Sequence, residues 1–150
     1  MKIAIGADHR GFGLKEKIKE HLSEHGVEVK DFGTVGEEPC DYPDVAKVLA
    51  EAVGKGEVES GILVCNSGIG MSIVANKVKG VRVALCRDVQ DAKASRSHND
   101  ANLLTLGAGR TDPKSSFEII ETWLKTPFEG GRHERRVKKI EEMEEVSSKD

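Results

Sequence analysis

The chain reads as an α/β protein: a three-layer, doubly wound, Rossmann-like sheet of five parallel strands with helices on both faces and a helical extension at the C-terminus. Three observations predict it. Short runs rich in Val, Ile, Leu and Ala recur along the chain, amphipathic stretches with helical spacing separate them, and the order strand, helix, strand holds throughout. With right-handed crossovers, such alternation covers both faces of one parallel sheet.

The first strand is Lys2 to Ile5, and Leu14, Ile18 and Leu22 mark the apolar stripe of the helix after it. Gly26 punctuates that helix before the second strand, Val27 to Asp31. Pro43 sits just inside the next helix start, Val45, Val48, Leu49, Ala52 and Val53 form its stripe, and Gly54 ends it. Gly61 to Val64 is too short and too apolar for anything but a buried strand. Ile69, Ile73, Val74 and Val78 then recur at helical spacing up to Gly80, followed by a strand over Val81 to Cys86, a helix over Asp88 to Ser97 and a strand over Leu103 to Leu106. Pro113 opens the helix that carries Phe117, Ile120, Trp123 and Leu124. After Pro127 the chain turns strongly charged, and Val137, Ile140 and Met143 are too few apolar positions to hold a helix alone. The expected organisation is one domain over residues 1–150, with 127–150 a helical tail docking on another surface such as a partner subunit.

Composition removes several classes of function. A net charge of −3, one Trp, one Tyr and four Phe offer neither general attraction to nucleic acid nor a stacking platform, so no nucleic-acid partner is expected. The longest apolar run is far short of a membrane span, and M-K-I-A-I-G enters a strand at once, so neither membrane nor export segment is expected. Cys40, Cys65 and Cys86 are an odd, sparse set without C-x-x-C spacing, which argues against a disulfide framework or structural zinc and for a reducing cytoplasm.

The strongest sign of chemistry is G-I-L-V-C-N-S-G-I-G-M-S at 61–72, which sets Cys65 where a strand hands over to a helix. Gly68 and Gly70 let a ligand approach the backbone, and a helix start offers free amides and partial positive charge to an anion or a developing oxyanion. The same field favours the thiolate of a neighbouring cysteine, which can then act as base or nucleophile. Asp8 and His9 follow the first strand, in G-A-D-H-R-G-F-G, and belong to the same row of loops. Neither glycine-rich loop matches G-x-G-x-x-G or a Walker motif, so no nucleotide cofactor is expected. A low-molecular-weight tyrosine phosphatase would need an arginine six residues after the cysteine, where Met71 stands. Further groups are His98, Asn99 and Asp100 at the close of the fourth helix, Arg132 and Arg136 four apart on the last helix, and Tyr42 in C-D-Y-P. His21 and His25 also stand four apart but lack a third ligand in the sequence and read as surface residues.

A-D-H-R-G at 7–11, D-Y-P at 41–43, C-N-S-G-I-G at 65–70, A-N-K at 75–77, S-R-S-H-N-D-A-N at 95–102 and E-G-G-R-H at 129–133 together resemble the type B ribose-5-phosphate isomerases, in unbroken order over nearly the whole chain. The wider family, with galactose-6-phosphate and allose-6-phosphate isomerases, shares fold and site. The resemblance therefore fixes the reaction better than the sugar. It implies an aldose–ketose isomerisation of a sugar phosphate through a cis-enediolate, without metal or cofactor, in a homodimer that could pair into a tetramer.

Residue by residue, the resemblance implies that Cys65 moves the proton between C1 and C2, that the amides of Asn66, Ser67, Gly68, Ile69, Gly70 and Met71 stabilise the enediolate, and that Ser67 binds hydroxyls. His98 would open the furanose ring, Asp8 and Asn99 would hold sugar hydroxyls, Tyr42 would line the pocket, and His9, Arg132 and Arg136 would bind phosphate. The segment Ile69 to Lys77 holds no acid that could replace the cysteine as base. The family's Gly-x-Arg after the last strand reads Gly107, Ala108, Gly109, Arg110 here, which displaces Arg110 by one position from its expected phosphate contact. The alternative of another class is a non-catalytic sugar-phosphate or nucleotide binding module in which Cys65 only packs. Topology adds one expectation: His98 belongs at the amino edge of the sheet and Cys65 at the carboxyl edge, so a catalytic His98 must serve the partner's site.

Overall fold

The computed structural model describes residues 1–149. The elements follow the expected order: β1 Lys2–Ala7, α1 Phe12–Glu24, β2 Glu28–Asp31, α2 Tyr42–Gly54, β3 Ser60–Cys65, α3 Ile69–Ala75, β4 Val83–Leu85, α4 Val89–Ser97, β5 Leu103–Gly107, α5 Pro113–Lys125 and α6 Arg132–Lys149. All strands pair in parallel, in the order β2-β1-β3-β5-β4. The chain leaves β1 toward one side and returns to β3 on the other. That reversal opens a crevice outside the carboxyl ends of β1 and β3.

Alternation along the strands builds two cores. Ile3, Ile5, Ile62, Val64, Leu104 and Leu106 face α1, α4 and α5, which answer with Leu14, Ile18, Leu22, Ala92, Ile119, Ile120 and Trp123. Ala4, Leu63 and Leu103 face α2 and α3, which supply Ala46, Leu49, Val53, Met71 and Ala75. Each fully buried Leu or Ile contributes about 1.5–3 kcal/mol, so these two layers carry most of the stability. Close packing of α2 depends on small strand residues: a Cβ at Gly61 would stand 2.7 Å from Leu49 Cδ2. Asp88 and Asp112 cap α4 and α5, accepting from the amides of Asp91 and Ser115, both at 2.8 Å.

Three details differ from the sequence reading. The helix expected over Ile69 to Val78 stops at Ala75, because the Asn76 side chain turns to β4, its Oδ1 accepting from the Val83 amide at 2.9 Å and its Nδ2 donating to the Val83 carbonyl at 3.2 Å. The strand expected over Val81 to Cys86 shortens to Val83–Leu85, whose backbone is matched only to β5. Val48, Ile69 and Ile73, read as parts of inward stripes, are 54%, 50% and 57% exposed. A helix of two turns with apolar residues on nearly every side has no unique inward face, and Met71 and Ala75 take that role instead. The helical tail forms as α6 and touches its own chain: Val137 is buried, Arg82 meets Glu141 at 3.3 Å, Lys79 meets Glu145 at 2.8 Å, and the Gly80 amide donates to Glu144 at 3.1 Å. Asp150, the end of the expected tail, lies outside the described residues.

Lys15 is fully buried on α1. Its ammonium donates to both Asp31 oxygens at 2.9 Å and to the Thr34 carbonyl, fixing the end of β2 and the loop that leads to α2. Partial burial pushes the Asp31 carboxyl up, but Lys19, the Gly33 amide and Lys15 together hold it below its ordinary value.

Candidate active site

The crevice at the carboxyl edge collects Asp8, Tyr42, Cys65, Asn66, Ser67, Ile69, Gly70 and Ile73 around a cleft of ≈ 420 Å³. Ala7 pairs with Val64 across the two central strands, which sets the residues that follow each side by side. A larger groove of ≈ 850 Å³ runs beneath α6, lined by lysines, glutamates and backbone. It holds neither cysteine nor histidine, whereas the smaller cleft holds Cys65.

Cys65 is the last residue of β3 and 5% exposed, and its sulfur accepts from the Gly68 amide at 3.2 Å. That contact requires the chain to fold back at once, which Gly68 allows with a φ of +78° that side chains rarely adopt. The turn delivers the Ile69 amide to the Ser67 hydroxyl at 3.2 Å and leaves the amides of Gly70 and Met71 among the donors for which a helix start has no intrahelical acceptor. Met71 is fully buried in the core, so only its backbone faces the site. β5 backs the loop: the Ala108 amide donates to the Cys65 carbonyl at 2.8 Å, and the Gly109 amide to the Asn66 carbonyl at 2.9 Å.

Asp8 is 6% exposed, and one of its oxygens, Oδ1, accepts from the amides of Arg10 and Gly11, both at 3.0 Å. The turn before α1 thus fixes the carboxylate. His9 Nδ1 accepts from the Cys40 amide at 3.1 Å, which sets the tautomer and leaves Nε2–H as a donor. Arg110, in the turn after β5, is exposed at this same edge and its amide donates to the Gly107 carbonyl at 3.0 Å.

His98, Asn99, Arg132 and Arg136 stand at the other end of the sheet. His98 caps α4, and the Asn102 carbonyl four residues later accepts from Gly61 at the start of β3. The His98 ring stacks on His133 at 4.3 Å, and the exposed Arg132 and Arg136 share the first turns of α6 with His133. His133 is 7% exposed. Burial first, then the neighbouring His98, Arg132 and Arg136 charges, hold its pKa below the ordinary histidine value, with Glu129 opposing. One donor atom each from His98, Glu129 and His133 lies within 4.8 Å of the others, so this group could also accept a cation.

Sequence reasoning missed the roles of three residues. His133 was visible in E-G-G-R-H but assigned nothing, the Cys40 amide is a backbone group without a sequence signal, and Lys15 reads as an ordinary surface lysine. Cys86 is inert by environment: burial, with Asp91 and Asp88 adding to it and the Ser95 hydroxyl opposing, pushes its thiol up to about 12.

A parallel sheet with a thiol, a glycine turn and a carboxylate at its switch point defines a class of small-molecule enzymes whose ligand sits above the strand ends. A family model described as Ribose/Galactose Isomerase matches residues 3–140, and the chain belongs to that family. Ribose-5-phosphate isomerase B of Escherichia coli (strain K12) is 46% identical over 144 residues, covering 96% of this chain and 97% of that one. The solved ribose-5-phosphate isomerase B of Clostridium thermocellum superposes with a TM-score of 0.96 at 50% identity, covering 98% of this chain and 99% of that chain. The ribose-5-phosphate isomerase B of Mycoplasma genitalium, solved with bound ribulose-5-phosphate, has a TM-score of 0.92 at 40% identity, covering 96% of each chain.

Proposed function

We propose that this protein interconverts ribose 5-phosphate and ribulose 5-phosphate through a cis-enediolate, in a homodimer whose sites each draw side chains from both subunits. The observation that carries the reading is the Cys65 thiol at the end of β3, with the Gly68 amide on its sulfur and Asp8, Ser67 and Tyr42 around the same cleft. Enolisation needs a base beside the carbon, donors aimed at the oxygen that becomes negative and an anchor for the remote phosphate. Cys65 takes the proton from C2 and returns it to C1, while a hydroxyl proton passes from O2 to O1. Atoms and electrons therefore balance within the sugar. The amides from Asn66 to Met71 meet the enediolate oxygens, Ser67 and Asp8 hold hydroxyls, and His9 donates to the phosphate.

The remaining groups enter from the partner. The six residues of β3 span about 20 Å, so one subunit cannot bring His98 and Cys65 to the same five-carbon sugar. In the composite site, His98 of one chain opens the ring above Cys65 of the other, Asn99 assists it, and Arg132 and Arg136 join His9 on the phosphate. Apolar side chains left exposed on α2 and α3, namely Tyr42 at 39% with Val48, Ile69 and Ile73, support a partner surface beside the cleft. Arg110, at the cleft edge, adds a further phosphate contact. Among the described residues no helix is long and apolar enough to cross a membrane, and with three free cysteines the reading places the enzyme in the cytoplasm.

The test is a coupled assay on the chelator-treated protein with ribose 5-phosphate, allose 6-phosphate and galactose 6-phosphate. Ribose 5-phosphate should turn over fastest, and Cys65→Ala should lower kcat by about 10² to 10⁴, the usual size of a lost general base. Near-normal turnover of Cys65→Ala would make the thiol structural. Preference for a six-carbon substrate would move the reading to the other sugars that the family description covers. The composite site has its own check. Inactive Cys65→Ala and His98→Ala chains, unfolded and refolded together, should recover about a quarter of wild-type sites, because half of a statistical mixture is mixed dimer and one of its two sites is intact. No recovery with mixed dimers present by native mass spectrometry would overturn it.

A further inference from the structure

The last turn of α1 and the outward side of α5 hold a cluster with no part in the isomerisation. His21 Nε2 donates to Glu121 Oε1 at 2.8 Å, across a hundred residues of sequence. The His21 ring lies flat on Phe117, centroids 4.1 Å apart and 3° from parallel, and the His25 ring, tilted by 39°, has its centroid 4.3 Å away. His25 Nδ1 donates to the His21 carbonyl at 2.7 Å, which leaves Nε2 as the nitrogen with the lone pair. One donor atom from each of His21, His25 and Glu121 lies within 4.8 Å of the other two.

We propose that His21, His25 and Glu121 form a zinc site that ties the end of α1 to α5. Two imidazoles and one carboxylate are the donors of late divalent metals, whereas calcium and magnesium take oxygen. Tetrahedral zinc holds such donors about 3.3 Å apart, so the His21–Glu121 pair, now 2.8 Å apart, opens slightly while His25, within 4.8 Å of both, moves inward. Rotation of the exposed His25 supplies that movement. The other two ligands start side by side: Phe117 holds the plane of His21, and Glu121 Oε1 lies 2.8 Å from its Nε2. The backbone contact of His25 is the outer-shell hydrogen bond that orients metal-binding histidines. On binding, the Nε2 proton of His21 moves through solvent to its Nδ1, so that the neutral ring gives zinc its Nε2 lone pair, Glu121 gives a carboxylate oxygen, and a water fills the fourth position. The site bridges helices on the face of the sheet opposite α2 and α3, so its product is stability rather than turnover.

The experiment titrates Zn²⁺ into the full-length, chelator-stripped protein by calorimetry, with Co²⁺ as an absorbing substitute and thermal unfolding read alongside. Wild type should bind one Zn²⁺ per chain at this site and gain about 5–10 °C in Tm at a hundredfold excess over Kd. His25→Ala and Glu121→Gln should each weaken that binding at least tenfold and lose the Tm gain while keeping isomerase activity. His133→Ala, which dismantles the separate His98 group, should keep both. The Co²⁺ spectrum should be tetrahedral without a thiolate band. Binding that survives His25→Ala and Glu121→Gln, disappears in His133→Ala or carries a thiolate band would overturn the proposal, as would the absence of any Zn²⁺ binding.

Discussion

Gly70 is the position where a single added carbon should damage the site and spare the fold. A Cβ there would stand 2.6 Å from Cε2 and Cζ of Tyr42 and 2.9 Å from its hydroxyl oxygen. Carbon atoms rest at about 3.5–4.0 Å, so the ring must retreat by about 1 Å. Tyr42 opens α2 and is 39% exposed, so its ring can swing outward without disturbing the core. Gly70 lies within α3, where alanine is the better helix former and adds about 0.4–1 kcal/mol through the unfolded state. At roughly 2–4 °C per kcal/mol, Gly70→Ala should melt about 1–4 °C higher than wild type. Activity should move the other way. A displacement of 1 Å at a reacting centre costs up to about 10²-fold, so kcat/KM should fall by about 10- to 100-fold. Steady-state kinetics and calorimetry on the same preparation measure both. Combining Gly70→Ala with Tyr42→Ala should cost no more than Tyr42→Ala alone, because the clash has then lost its second partner. Wild-type kcat/KM in Gly70→Ala would refute the idea that the tyrosine ring shapes the cleft.

Iodoacetamide mapping by mass spectrometry should label Cys65 and leave Cys86 unmodified in the folded protein, since the Cys86 thiol is pushed up to about 12, and sugar phosphate should protect Cys65. Equal labelling of both thiols, indifferent to ligand, would count against the assignment. Arg132→Ala and Arg136→Ala should chiefly raise KM, each by about 1.5–3 kcal/mol in binding, and should blunt competition by inorganic phosphate. Phosphate inhibition that survives both changes would move the anchor elsewhere. Because the His133 pKa is lowered on folding from 6.5, the unfolded chain takes up the proton first, and stability is kept above pH 6.5 and lost as pH falls below it. His133→Gln should flatten the fall of Tm below pH 6.5, and an unchanged profile in calorimetry would show that another group titrates there.

The elements were legible because their signals are local. Val, Ile and Leu runs mark β1, β3 and β5, and proline and glycine mark the ends of α1, α2 and α5. The row Asp8, Cys65, Ser67 was legible for a related reason: a parallel sheet places every strand's exit at one edge, whatever the order of the strands. What escaped depends on pairs distant in sequence. The order β2-β1-β3-β5-β4 is set by which strands meet, and no single strand carries it. Lys15 became fully buried because Asp31 and the Thr34 carbonyl converge on it from another segment. His21 and His25 lacked a third ligand only in sequence, since Glu121 reaches them from α5. The outward turn of Ile69 and Ile73 escaped because spacing gives the period of a short helix and leaves its rotation open.

The place of β5 has a consequence for how the molecule is made. It is the last strand to be synthesised, yet it lies between β3 and β4. Until residues 103–109 leave the ribosome, β4 lacks the strand it pairs with and the Cys65 turn lacks the amides of Ala108 and Gly109 behind it. A nascent chain already holds the pairing partners β1, β2 and β3, but it cannot yet shape the Cys65 turn. Non-local insertion of this kind is a slow step, and here it falls after Cys65 has been made. Ribosome-bound fragments ending before Leu103 should therefore carry Cys65 without isomerase activity. The sheet closes and the Cys65 turn takes its shape in the same event.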